Sequence, residues 1–173
     1  MADIDIESPG ASEAALRAAL FNLRSFNGCF VRRTSDLTAQ NITTAALVTY
    51  QEAVQDPLSM WSAGAPTRIT IDADLNGALL MAWFNTRITS DTADTWFKGY
   101  INIHNAATTT ILGAGNGEFE KGSTTWAVTR TAAWVATTGD YVTSLVQTES
   151  DTSVSIEGDA YQTQMGVWVL GMP

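Results

Sequence analysis

Ala78-Leu79-Leu80-Met81-Ala82-Trp83-Phe84-Asn85-Thr86-Arg87-Ile88 is the stretch that decides how this chain folds. Side chains alternate across a β-strand, so Leu80, Ala82 and Phe84 share one face and Leu79, Met81 and Trp83 the other. Both faces are apolar, and the turn signals Asn76-Gly77 and Ser90-Asp91 bound the run. Residues 164–170 repeat the pattern, with Met165, Val167 and Val169 set against Trp168 and Leu170. An antiparallel sandwich strand ordinarily keeps one wet face. Two dry faces imply that something covers the outer one; a partner subunit is the simplest cover, with a loop or the N-terminal helix folded over it as the alternative.

Outward from this strand the same texture continues. On 95–105, Phe97, Ile101 and Ile103 alternate with Trp96, Lys98, Tyr100 and Asn102. Turn signals recur at Asp56-Pro57, Gly64-Ala65-Pro66, Gly113 through Gly117, Gly122-Ser123, Gly139-Asp140 and Gly158-Asp159. Strands are expected at 29–33, 42–54, 67–72, 78–88, 95–105, 109–113, 125–136, 140–148, 153–157 and 164–170. Short strands at such spacing specify an all-β sandwich or barrel. The one helical pattern covers residues 11–26, where Leu16, Ala19, Leu20, Leu23 and Phe26 recur every three or four residues. Ser8 or Ser12 caps its start, and Asn27-Gly28 ends it. The expected organisation is an N-terminal arm, residues 1–28, followed by one β domain, residues 29–173.

Composition narrows the function. The chain has 173 residues, 45% hydrophobic and 16% charged, with 9 Lys and Arg against 18 Asp and Glu. A net charge of −9 disfavours nucleic acid, whose phosphates are met by clustered cations, and anionic membrane surfaces alike. No apolar run has the length of a membrane span. The acidic start, Met1 to Glu7, lacks the basic and apolar regions of a signal peptide, so assembly in a reducing cytoplasm is expected. Asn41-Ile42-Thr43 matches a glycosylation sequon, which carries no weight without a secretion signal. Cys29 is alone in an apolar run and reads as a buried, inert thiol, with a reactive or intersubunit cysteine as the alternative.

Catalytic signals are sparse. His104 is the one imidazole, and no G-x-S-x-G elbow accompanies it, so it reads as a strand-end histidine. A zinc site of the Cys/His kind lacks ligands. Gly113-Ala114-Gly115-Asn116-Gly117 lacks the Lys-Ser/Thr pair of a phosphate loop and reads as an interstrand loop. The carboxylate pairs Asp72/Asp74, Asp91/Asp94, Glu118/Glu120 and Glu157/Asp159 read as solvated turns and strand ends. Calcium in a loop or at a symmetry axis is the alternative for them, and glycoside hydrolysis a remoter one. The expectation is a chain that is not an enzyme and needs no cofactor. The six tryptophans, at 61, 83, 96, 126, 134 and 168, read chiefly as core or subunit packing, with ligand contact as the alternative for a surface one.

Three segments resemble a known family. Met60-Trp61-Ser62 followed by Pro66-Thr67-Arg68-Ile69-Thr70-Ile71 is similar to a segment of C1q-like globular domains, which are common in phage structural proteins. Gly139-Asp140-Tyr141-Val142 resembles the family's entry into a late strand, and Met165 through Gly171 its last strand. The order and spacing fit across residues 29–171. There is no collagen-like repeat, so the immune functions of vertebrate members are not carried over. The resemblance implies a ten-stranded C1q/TNF-like jelly-roll sandwich that assembles as a compact trimer, with aromatic side chains around the threefold axis. Trp83, Trp96, Tyr100 and Trp168 are the candidates for that interface.

The functional expectation is a bacteriophage virion protein: a trimeric decoration or cement protein on the capsid exterior, assembled in the host cytoplasm. Its partners are then further copies of itself and the major capsid protein. The apolar stripe Leu16, Leu20, Leu23 and Phe26 of the arm is the candidate anchor on the shell. The alternative is a trimeric receptor-binding head on a tail or head fibre, recognising a host surface glycan or protein.

Overall fold

The computed structural model describes residues 28–40, 44–90, 97–114, 125–148, 154–158 and 162–172. Where apolar and polar side chains alternate, the chain is extended. The longest strands are β6 (Leu79–Ser90) and β9 (Thr125–Val135). With them in one sheet are β1 (Gly28–Arg32), β2 (Leu37–Gln40), β4 (Glu52–Gln55), β11 (Val154–Ile156) and β12 (Gln164–Gly171). The second sheet holds β3 (Ala46–Leu47), β5 (Arg68–Thr70), β7 (Phe97–His104), β8 (Thr110–Ala114) and β10 (Tyr141–Thr148). One 3-10 turn, Ala73–Leu75, is the only helical element among the described residues.

All pairings are antiparallel. In the seven-stranded sheet the order runs β9-β6-β12-β1-β4. β11 lies end to end with β12 along the same side of β6, and β2 pairs with β11. In the five-stranded sheet the order is β8-β7-β10, and β5 and β3 lie end to end along the far side of β10. The core lies between the layers. Leu80, Ala82, Phe84 and Ile88 of β6, Met165 and Val167 of β12, and Cys29 and Val31 of β1 meet Phe97, Ile101 and Ile103 of β7 and Val142 and Val146 of β10, all without solvent exposure.

The chain is an all-β sandwich, as the alternation implies, but the described residues form twelve strands rather than ten. The expected single strand at 42–54 divides between the sheets. Its middle is committed to both layers: Val48 N–H donates to Ser144 O at 2.9 Å, while Gln51 N–H donates to Arg32 O at 3.0 Å. Tyr50 sits at the crossing, fully enclosed, with its hydroxyl 2.5 Å from Ser144 Oγ. Burial pushes the Tyr50 phenol up, so it stays protonated. β2 is a further addition, edging β11. The expected helix at 11–26 lies outside the described residues.

The turn before β10 is held by one carboxylate. Gly139 has φ of +84°, which glycine adopts at no steric cost. Asp140 is 2% exposed, and its Oδ2 accepts from Thr137 N–H at 2.9 Å and Trp134 Nε1–H at 3.3 Å. Removing it orphans the buried Trp134 indole N–H and the part-buried Thr137 amide, which together cost about 3 kcal/mol. Asp140→Ala is expected to lower the thermal midpoint by roughly 6–12 °C, at about 2–4 °C per kcal/mol in a domain of this size. A loss below about 2 °C by calorimetry would mean that water replaces the carboxylate.

Candidate functional site

The odd-numbered residues of β6 point away from the core. Gly166 on β12 lies level with Trp83, and the indole lies across it: a Cβ built on Gly166 would stand 2.4 Å from Trp83 Nε1. The absent side chain is thus the space the indole fills. Trp83 also meets Phe30 of β1, with ring centroids 5.4 Å apart, and Trp168 of β12, at 5.7 Å, both tilted. Such tilted pairs contribute beyond their buried area. Around this cluster Leu79 is 43% exposed, Trp168 37%, Leu170 52% and Val135 65%. Trp83 Nε1 is buried and has no hydrogen-bond partner among the described residues.

The same sheet face turns polar farther along β6. Thr129 Oγ1 donates to Asn85 Oδ1 at 3.1 Å, and Arg87 pairs with Glu157 at 3.3 Å. Toward β4 it is bordered by the Arg32–Glu52 ion pair, at 2.8 Å. The apolar patch therefore has a polar rim on two sides, which is the anatomy of an interface.

Of the four aromatic residues singled out in the sequence, the structure brings Trp83 and Trp168 together. Tyr100 lies on the other layer. Phe97, Ile101 and Ile103 fill the core side of β7, so Tyr100 faces outward from the five-stranded sheet, where its hydroxyl donates to Gln147 Oε1 at 3.0 Å. Trp96 and the arm residues Leu16, Leu20, Leu23 and Phe26 lie outside the described residues. Phe30 and Gly166 were not singled out. A glycine inside an apolar strand is the signal that pointed to the second.

The groups with chemical potential are held in structural contacts. His104 Nε2 is 3.0 Å from Thr143 Oγ1 and Nδ1 is 3.1 Å from Thr110 Oγ1. Its ring stacks on Tyr141 at 4.6 Å, and the Arg68 guanidinium lies 5.3 Å from the centre of the Tyr141 ring. Burial lowers the pKa of His104, favouring the neutral ring. Cys29 is buried, and burial first, then Asp56, pushes its thiol far up, so no thiolate forms near neutral pH. Asp56 itself accepts from the Met60 and Trp61 amides at 2.7 and 2.9 Å, which fixes the Met60-Trp61-Ser62 segment after the Pro57-Leu58 turn. Asp72 caps the 3-10 turn by accepting from Asp74 N–H at 2.9 Å.

No protein-family model and no curated protein sequence matches this chain. Solved structures do. The globular domain of zebrafish complement 1qA superposes with a TM-score of 0.53 at 12% identity, over 84% of this chain and 98% of that one. The tumour necrosis factor Eiger of S. frugiperda gives 0.53 at 12%, over 87% and 96%. Murine APRIL gives 0.56 at 10%, over 83% and 98%. Identities this low speak for the fold alone, and the fold is a jelly roll like those of the C1q and tumour-necrosis-factor domains.

Proposed function

We propose that this chain is a structural, non-enzymatic module that works as a homotrimer closed through the outer face of its seven-stranded sheet. We place it on the exterior of a bacteriophage capsid as a decoration protein, with Leu16, Leu20, Leu23 and Phe26 gripping the major capsid protein. The observation that carries the reading is the Phe30–Trp83–Trp168 cluster with its exposed aliphatic border. Apolar surface gathered on one face, with a polar rim, is stabilised by removal from water. The engagement of His104 and the burial of Cys29 support a structural role over a nucleophilic one. Three weak arms acting together give attachment that one arm does not.

The receptor-binding reading also has an observation in its favour. The strands of the five-stranded sheet contain Arg68 and Lys98 but neither Asp nor Glu, in a chain of net charge −9. That is the face a head domain would turn toward an acidic ligand.

Leu170→Asp combined with Val135→Asp tests the trimer, since both side chains are exposed in the protomer and the fold tolerates the change. Native mass spectrometry is expected to show a trimer for the natural chain and the 18.6 kDa protomer for the variant. A natural chain that is monomeric at micromolar concentration overturns the reading. Immunogold labelling separates the two roles: copies spread over the head support decoration, and a few at a tail or fibre tip support receptor binding.

A further inference from the structure

The core face of the seven-stranded sheet carries one polar row. Val31 of β1, Met165 of β12 and Phe84 of β6 face the core, so Arg33, Thr163 and Thr86, two residues away on each segment, face it too. Arg32 is level with Gln164, and Gln164 with Asn85, which sets the three side chains next to one another across neighbouring segments. The Arg33 N–H donates to Thr163 O at 3.0 Å, and the Thr86 and Thr163 hydroxyls are 3.0 Å apart. Arg33 is 2% exposed, and both threonines are fully enclosed.

A charge this deeply enclosed is costly without a counter-charge. No carboxylate pairs with Arg33 among the described residues, whose ion pairs are Arg32–Glu52 and Arg87–Glu157. Arg33 Nη1 donates to Thr49 O at 2.5 Å and to Thr49 Oγ1 at 2.6 Å, both neutral acceptors. Nε is buried with no hydrogen-bond partner among the described residues. Burial lowers the pKa of Arg33, and Tyr50 and Asp36 oppose that shift. Neither serves as its counter-ion. The Tyr50 phenol is protonated and bonded to Ser144, and the Asp36 carboxylate is turned to Gly158 N–H at 2.8 Å. The guanidinium nevertheless stays charged, as arginine does in proteins. A water molecule would satisfy the Nε–H but leave the charge uncompensated, whereas an anion does both.

We propose that Arg33 holds a monovalent inorganic anion of chloride size inside the sandwich, bound by the Nε–H and by a hydroxyl of the Thr86–Thr163 pair. The pair spends one of its two hydroxyl protons on its own bond and has the second to give. One excess positive charge matches one negative charge, and the enclosure of the row selects against a bulky oxyanion. The anion neutralises the group that grips Thr49, next to Tyr50, where the chain passes from one sheet to the other. It thereby stabilises the crossing within each protomer, whatever the protomer assembles into.

The test is the thermal midpoint of the natural chain, by calorimetry, in sodium chloride and in sodium gluconate at equal ionic strength. Gluconate screens surface charge as chloride does but is too bulky for the site. At a chloride concentration ten times the dissociation constant the midpoint is expected to stand about 3–6 °C higher than in gluconate. Equal midpoints across the whole salt series overturn the proposal. Arg33→Met keeps the bulk and removes the charge, and it is expected to reduce the chloride shift to below about 1 °C. A shift that persists in this variant assigns the anion to another place and overturns the proposal. Should Arg33→Met fail to fold, crystals of the natural chain grown in sodium bromide decide. An anomalous peak within about 3.5 Å of Arg33 Nε is expected. Bromide at the surface with none at Nε means an adventitious ion only, which overturns the proposal.

Discussion

Gly158→Ala is expected to cost about 4 kcal/mol and to lower the thermal midpoint by roughly 8–16 °C. A Cβ at this position would stand 2.0 Å from Ser35 O and 2.2 Å from Ser35 C. Both are backbone atoms, so no side-chain rotation relieves the clash. Neither loop is free to retreat. The Thr34 and Ser35 amides donate to Gln51 Oε1 at 2.8 and 3.1 Å, and Gln51 Nε2 donates to Ser35 Oγ at 2.7 Å. On the other side Gly158 N–H donates to Asp36 Oδ1 at 2.8 Å, and Glu157 N–H donates to Arg87 O at 2.9 Å. Moving either loop breaks at least one of these bonds and pulls on β6 through Arg87. Gly171→Ala is the control, because a Cβ there meets nothing within 4 Å. Calorimetry that finds the two variants equally stable would mean that the loops do not approach as described.

The contrast between those glycines marks where sequence reading reaches its limit. The long strands were legible because their alternation is local. The expected 78–88, 140–148 and 164–170 correspond to Leu79–Ser90, Tyr141–Thr148 and Gln164–Gly171. Residues 42–54 were not, because nothing local says that a β-branched run changes sheets. That change is set by Tyr50 meeting Ser144 and Gln51 meeting Arg32, contacts between distant segments. The same limit divides the candidate site. Alternation shows which side of a strand is wet but not which layer the strand joins. Tyr100 and Trp83 therefore looked alike in the sequence and stand on opposite faces of the sandwich. The Gly139-Asp140-Tyr141-Val142 motif was visible as a word, and the structure supplies its physics: a positive φ, a buried carboxylate and two donors that need it.

Gly166→Ala is expected to cost about 2–3 kcal/mol in the protomer and to weaken self-association at least tenfold. The added methyl would lie 2.4 Å from Trp83 Nε1, 2.7 Å from Cε2 and 2.9 Å from Cζ2. A side chain yields more easily than backbone, so the cost is smaller than at Gly158, but the indole is not free to yield cheaply. Phe30 and Trp168 both pack against it, with ring centroids 5.4 and 5.7 Å away. Lifting Trp83 off Gly166 thus separates two tilted ring pairs and roughens the face that the trimer reading needs flat. A double-mutant cycle separates this mechanism from a general dislike of alanine in β12. Trp83→Leu removes the ring and leaves Gly166 room for a methyl. In that background Gly166→Ala is expected to cost under about 1 kcal/mol, a coupling of about 2 kcal/mol between the two positions. Near-ultraviolet circular dichroism follows the rings and sedimentation equilibrium follows the assembly. If the two substitutions are additive, Trp83 is not seated on Gly166, and the apolar face loses the feature that organises it. If they couple while association stays unchanged, the cluster is internal packing, and the trimer must close through another surface.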